Sequence, residues 1–136
     1  MVKIVCFLCF IGAVSCSGLH GAESTAKDST YVPTKNFEMW DDLEVSVWAR
    51  SPLLSNPTNM DIDAKGRIWV AEGVNYRKQY LRPKGDRIMV LEDSNGDGTA
   101  DKSRVFVQDK ELRSPLGISV IGNRILVGQP PNMILY

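Results

Sequence analysis

The densest run of oxygen-bearing side chains is Asp93-Ser94-Asn95-Gly96-Asp97-Gly98-Thr99-Ala100-Asp101. Carboxylate or amide oxygens at Asp93, Asn95, Asp97 and Asp101, with a glycine at Gly98, match the first nine positions of a calcium-binding loop. Ca²⁺ takes six or more hard oxygens, and glycine permits the sharp turn that folds alternate side chains onto one centre. The backbone carbonyl of Thr99 adds a further ligand. The twelfth position holds Arg104 in place of a bidentate glutamate, and the flanks read as strands, so an EF-hand is excluded. Asn-Gly and Asp-Gly are also the preferred hairpin dipeptides. Two readings therefore stand, a hairpin stiffened by Ca²⁺ on Asp93, Asn95, Asp97, Thr99 and Asp101, or a solvated turn.

A second group of candidates lies in loops. The stretch from Glu72 to Pro83 is rich in arginine, tyrosine and amide side chains, and Arg50 to Asn56 and Lys110 to Ser114 add more. Glu72, Asn75, Tyr76, Arg77 and Arg113 are the candidate cofactor-binding residues, because guanidinium, phenol and amide groups recognise an anionic cofactor or a sugar. The alternative is an ordinary solvated loop. Glu72 leads the set, standing where a strand meets the loop.

Other chemistries lack their parts. The one histidine, His20, lies in or beside the N-terminal apolar run, so a Ser-His-Asp triad or histidine metal site is excluded. There is no Cys-x-x-Cys-His haem attachment and no glycine-rich phosphate loop. With 16 basic and 16 acidic residues the formal net charge is zero, and no basic cluster points to nucleic acid.

The elements that must position these residues read as strands. From Leu43 onward the apolar period is two, as in Leu43, Val45 and Val47, in Met60 and Ile62, and in Leu116, Ile118 and Val120. Glycine- and proline-bearing turns punctuate these runs, which predicts an all-β sandwich, barrel or propeller. A repeat selects the propeller. Pro57 to Asp63 leads through a glycine turn to Arg67-Ile68-Trp69-Val70, and Pro115 to Val120 leads likewise to Arg124-Ile125-Leu126-Val127, about 58 positions later.

The expected fold is all-β, a partial β-propeller of about two four-stranded blades plus a closing strand. Blade one takes Asn59 to Asp63, Arg67 to Glu72, Asp86 to Glu92 and Ser103 to Gln108. Blade two begins at Leu116 and reaches Tyr136 in the middle of its third strand. Leu43 to Ala49 is the closing strand, pairing with a last blade beyond Tyr136. In that connectivity the Glu72–Pro83 and Lys110–Ser114 loops share one face, which commonly carries the site, and the acidic hairpin lies on the other.

The N-terminus reads as an export signal. Lys3 precedes an apolar stretch from Ile4 to Val14, too short to span a bilayer, and small residues follow. All three cysteines, Cys6, Cys9 and Cys16, fall within this leader, so the mature chain holds no disulfide and no thiolate metal site. Ala13-Val14-Ser15-Cys16 resembles a lipobox, and lipidation at Cys16 is the one predicted membrane link; cleavage between Ser15 and Ala22 is the alternative. The expected organisation is a signal peptide over residues 1–22, a linker over 23–42 and a propeller fragment over 43–136. The location follows as periplasmic, cell-surface or extracellular.

The runs Asp63-Ala64-Lys65-Gly66-Arg67-Ile68-Trp69-Val70-Ala71-Glu72-Gly73, Asp86-Arg87-Ile88 and Leu91 to Lys102 carry a family resemblance. Over Leu43 to Tyr136 the chain resembles the N-terminal propeller of the large secreted membrane-bound dehydrogenases abundant in planctomycetes. The resemblance implies a propeller similar to that of quinoprotein glucose dehydrogenases, followed by helical repeats and a haem c module. It implies an exported oxidoreductase acting on sugars, with quinone or haem c as cofactor. This chain has neither the downstream modules nor the histidine base of those enzymes. The resulting expectation is an N-terminal fragment, inactive without the rest of the propeller. A non-enzymatic carbohydrate- or protein-binding propeller and a calcium-dependent lactonase-type propeller are the alternatives.

Overall fold

The computed structural model describes residues 2–8, 34–78 and 81–136, and in these the chain is all-β, with no α-helix. β1 is Val2–Leu8 and β2 is Leu43–Arg50. β3 (Pro57–Ile62), β4 (Ile68–Glu72), β5 (Arg87–Glu92) and β6 (Lys102–Gln108) form an antiparallel sheet in chain order. β7 (Gly117–Ile121), β8 (Arg124–Gln129) and β9 (Asn132–Leu135) form a second. The strands of the expected first blade are thus present, each bound shifted by two residues or fewer. The third strand of the second sheet is β9, and Tyr136 continues its pairing by exchanging N–H···O bonds with Ile125 at 2.9 Å each way.

Alternation along β4 explains the packing. Ile68 and Val70, with Met89 and Leu91 opposite on β5, face one way and bury against Trp48, Ala49 and Leu54. Trp69 and Ala71, with Val90 and Ile88 opposite, face the other way and bury against Leu112, Ile118, Ile125 and Val127. β4 is therefore buried at every residue, whereas a sheet packed on one side would leave every second residue wet. The layers run β2, then the four-stranded sheet, then the three-stranded sheet, face to face.

Leu54 and Leu112 hold equivalent places in this stack. Each stands three residues before a proline, Pro57 or Pro115, each is at most 1% exposed, and each plugs the seam between one layer and the next. Burial of such a side chain contributes roughly 1.5–3 kcal/mol. The seam between the sheets also has a polar edge. Asn59 Oδ1 accepts the Ile118 N–H at 3.3 Å and Asp61 Oδ2 accepts the Val120 N–H at 2.6 Å, so β3 side chains satisfy the open edge of β7. The Thr58 hydroxyl bonds the carbonyls of Ala71 and Pro115.

β2 differs from its expected pairing. It was expected to close against a strand beyond Tyr136, and here it pairs in parallel with β1, from Val2 opposite Leu43 to Leu8 opposite Arg50. Trp48 and Ala49 fix one face of β2 on the first sheet, which leaves a hydrogen-bonding edge that any extended segment can take. The strand β1 falls within the stretch read as the leader; the lipobox cysteine Cys16, His20 and most of the 23–42 linker lie outside the described residues.

Candidate functional site

Glu72 ends β4 directly opposite Arg87, which begins β5. The Arg87 guanidinium binds it through two parallel bonds, Nε to Oε2 at 2.7 Å and Nη2 to Oε1 at 3.0 Å. Arg82 adds Nη1 to Oε2 at 2.6 Å, and the Ser55 N–H donates to Oε1 at 2.7 Å. Glu72 is fully buried, and these four donors fill its acceptor positions. Two guanidinium groups share one carboxylate.

The loop above this cluster is held by two more buried polar residues. Asp86 receives the Asn75 N–H at 3.1 Å on Oδ1 and the Ser114 N–H at 2.7 Å on Oδ2, joining two loops of the same face. Asn75 then clasps the main chain of Arg82 from both sides. Its Oδ1 accepts the Arg82 N–H at 2.8 Å, and its Nδ2 donates to the Arg82 carbonyl at 2.9 Å. Asp86 to Asn75 to Arg82 is one continuous chain of support.

The structure joins Glu72 and Asn75 through Arg82, and the other loop candidates make different contacts. Tyr76 and Arg77 are exposed, with the Arg77 guanidinium 5.3 Å from the Tyr76 ring centre. Arg113 is exposed, its N–H bound to Gln129 Oε1 and its Nε to the Lys110 carbonyl at 3.1 Å. Sequence reading missed Arg82, Asp86 and Arg87. Arg87 was within reach, because pairing Arg67–Glu72 antiparallel to Asp86–Glu92 sets it against Glu72. Arg82 carries no such signal, since it reaches Glu72 by way of a loop.

The acidic hairpin satisfies itself. Asp93 accepts the N–H groups of Gly96 at 2.7 Å and Gly98 at 2.8 Å, and Asp97 accepts that of Thr99 at 2.8 Å. Asn95 Oδ1 accepts the Asp97 N–H at 3.0 Å. Asp101 turns to Ser94, accepting its N–H at 2.8 Å and its hydroxyl at 2.6 Å, and these bonds hold its carboxyl below the usual range. Among the described residues no three His, Cys, Asp or Glu side chains are grouped to hold a metal. Each of Asp93, Asn95, Asp97 and Asp101, expected to offer an oxygen to Ca²⁺, accepts at least one backbone N–H here. Covalent haem attachment does not fit this chain either, since no cysteine follows Cys16.

No curated protein and no solved structure matches the chain. A family model does match, over residues 29–136, and so begins inside the stretch expected to be a linker. That span takes in both sheets, β2, the Glu72 cluster and the acidic hairpin, and the chain belongs to the family described as a domain of unknown function, DUF7133.

Proposed function

We propose that this chain supplies the opening blades of a β-propeller in an exported, dehydrogenase-like protein, and that the face bearing Glu72, Asn75 and Arg82 binds ligand. The observation that carries this reading is the face-to-face stack of repeating meanders, in which Leu54 and Leu112 fill equivalent seams. Stacked four-stranded meanders are the building plan of a propeller, and loops at one end of such a stack converge on a shared site. The face contributes binding groups, Arg82 with Arg87 beside it. The quinone or haem c that the family resemblance implies, and the sugar it would oxidise, belong with chain beyond these blades.

Redox titration of the full-length protein with ultraviolet–visible detection tests this. A quinone or haem transition is expected, and a flat titration would overturn the oxidoreductase reading. Mass spectrometry of the mature protein tests export: a new N-terminus between Ser15 and Ala22, or a lipidated Cys16, is expected, and an intact Met1 would refute it.

A second reading, a propeller that binds carbohydrate without reacting on it, draws on the state of the carboxylates. Glu72 is filled by four donors and Asp86 by backbone N–H groups, so neither is free to take a proton from a substrate. Glycan binding in a protein with a flat redox titration would favour it.

A further inference from the structure

Three polar or charged side chains are buried among the described residues, Glu72, Asn75 and Asp86, and all three act on the same exposed-edge residue. Glu72 holds the Arg82 guanidinium, Asn75 holds both backbone groups of Arg82, and Asp86 holds Asn75. Burying polar groups is unfavourable unless each is satisfied, so three of them converging on one arginine is a concentrated structural commitment. What it fixes is the position of a side chain that remains 18% exposed.

The two guanidinium groups are used differently. Arg87 turns its Nε–Nη2 edge, the geometry that matches a carboxylate, onto Glu72. Arg82 gives Glu72 only Nη1, and its own Nε–Nη2 edge meets no partner among the described residues. Among the described residues, one edge of Arg82 is therefore left without a hydrogen-bond partner, on a guanidinium held beside a carboxylate already neutralised by Arg87.

We propose that the Nε–Nη2 edge of Arg82 is a carboxylate-binding subsite, and that the ligand of this face carries a carboxylate. A planar guanidinium edge pairs with a carboxylate through two parallel bonds, which gives orientation as well as attraction. Glu72 and Asp86 balance the charges of Arg82 and Arg87, so planar two-pronged geometry rather than surplus charge favours a carboxylate over tetrahedral sulfate. Pre-organisation by Glu72, Asn75 and Asp86 lowers the ordering cost that a free arginine would pay on binding. The inference rests on the reading of this face as ligand-binding and names the chemistry of what it takes.

The test uses the full-length protein and D-glucuronate as probe, with D-glucose as the neutral control and inorganic sulfate as the dianion control, by calorimetric titration. Saturable glucuronate binding is expected, with neither control matching it. Arg82→Lys keeps the charge toward Glu72 and removes the two-pronged edge, so its affinity should fall about tenfold or more. Circular dichroism and the unfolding midpoint establish that the variant is folded. A measurement on the unaltered protein stands beside it: glucuronate should shift the Arg82 Nε–H resonance, and glucose should leave it in place. Absence of glucuronate binding, equal binding of sulfate, or unchanged affinity in the folded Arg82→Lys variant would overturn the proposal. Glucuronate binding alongside a flat redox titration would keep the subsite and remove only the oxidoreductase reading.

Discussion

Glu72 and Gln129 do the same mechanical job in successive sheets. Each ends the second strand of its sheet, and each accepts the N–H of a residue in the loop entering that sheet, Ser55 for Glu72 and Arg113 for Gln129. The residues that follow, Asn56 and Ser114, both adopt the left-handed backbone, with φ of 46° and 51°, before Pro57 and Pro115. The repeat therefore extends beyond apolar spacing to a side-chain clamp and a backbone kink. What separates the two copies is charge, since the Glu72 carboxylate also binds two guanidinium groups, whereas the Gln129 amide bonds main chain, accepting the Arg113 N–H and donating to the Glu111 carbonyl.

That difference predicts unequal costs. Gln129→Ala removes two hydrogen bonds to loop backbone and should lower stability by about 1–2 kcal/mol. Glu72→Gln keeps an oxygen for Ser55 but leaves two guanidinium groups crowded without a counter-charge, so a loss of about 2–4 kcal/mol is expected. Urea unfolding of the full-length protein measures both. Equal losses would mean that the arginines contribute little and that the loop clamp is the whole role of Glu72.

Gly85 precedes Asp86 and has φ of +89°. A Cβ built there would lie 1.6 Å from the Asp109 carbonyl oxygen and 2.8 Å from the Lys110 nitrogen, both main chain. Neither atom can move aside as a side chain would, and the backbone conformation itself disfavours alanine. Gly85→Ala should therefore destabilise the protein by more than about 2 kcal/mol. It should also loosen the loop held by Asp86, read as faster hydrogen exchange at the Asn75 and Ser114 amides, which donate to that carboxylate.

Much of the fold was legible because period-two alternation and glycine turns are local. Pro57 and Pro115, and Arg67 and Arg124, mark the repeat in plain view. The equivalence of Leu54 and Leu112 was harder to see, because a single leucine in a loop has no period, and only the stacking of layers reveals what it fills. The site was less legible. Asn75 was chosen as a binding residue by type, yet its amide imitates a backbone partner for Arg82, a role that depends on where the loop folds back. Arg77 was chosen on the same grounds and stands apart. The pairing of β2 with β1 was not legible at all, since strand edges carry no sequence signature of their partner.

Asp93 is the main cap of the acidic hairpin. Asp93 caps the Gly96 and Gly98 N–H groups, and the Asp97 N–H approaches it at 3.2 Å, so one side chain closes most of the turn. Asp93→Ala should cost about 1–2 kcal/mol through these caps alone, measured by urea unfolding with a chelator present. Ca²⁺ binding would need oxygens of Asp93, Asn95, Asp97, Thr99 and Asp101 to face one centre, through lone pairs that the N–H bonds leave open. Calorimetric titration of the full-length protein with Ca²⁺ tests the calcium-loop reading, and no binding heat would leave the run as a solvated turn. An event that disappears in Asp97→Ala would instead identify the run from Asp93 to Asp101 as a calcium loop.

Acid should weaken the turn between β3 and β4 through Asp63. Burial alone would raise its pKa, but bonds from the Trp69 indole, the Arg67 guanidinium and the Arg67 and Lys65 N–H groups bring it down from 3.8 to about 2. The Trp69 Nε1 bond is 3.0 Å and the Arg67 Nε bond 2.6 Å, and both donors stand at the seam between sheets or beside it. A carboxyl whose pKa is lowered on folding favours the folded state most where it is ionised in both states, above about pH 4. That contribution is lost as pH falls from about 4 through about 2, where the unfolded chain takes the proton first. Asp101 is lowered by Ser94 and acts with the same sign. Asp63→Asn should thus be less stable than the unaltered protein by about 1–2 kcal/mol at neutral pH. The gap should shrink over the window from pH 4 to pH 2, because the substitution removes the group that titrates there. Urea midpoints at half-unit pH steps measure this, and parallel curves across that window would show that Asp63 is not the acid-sensitive link.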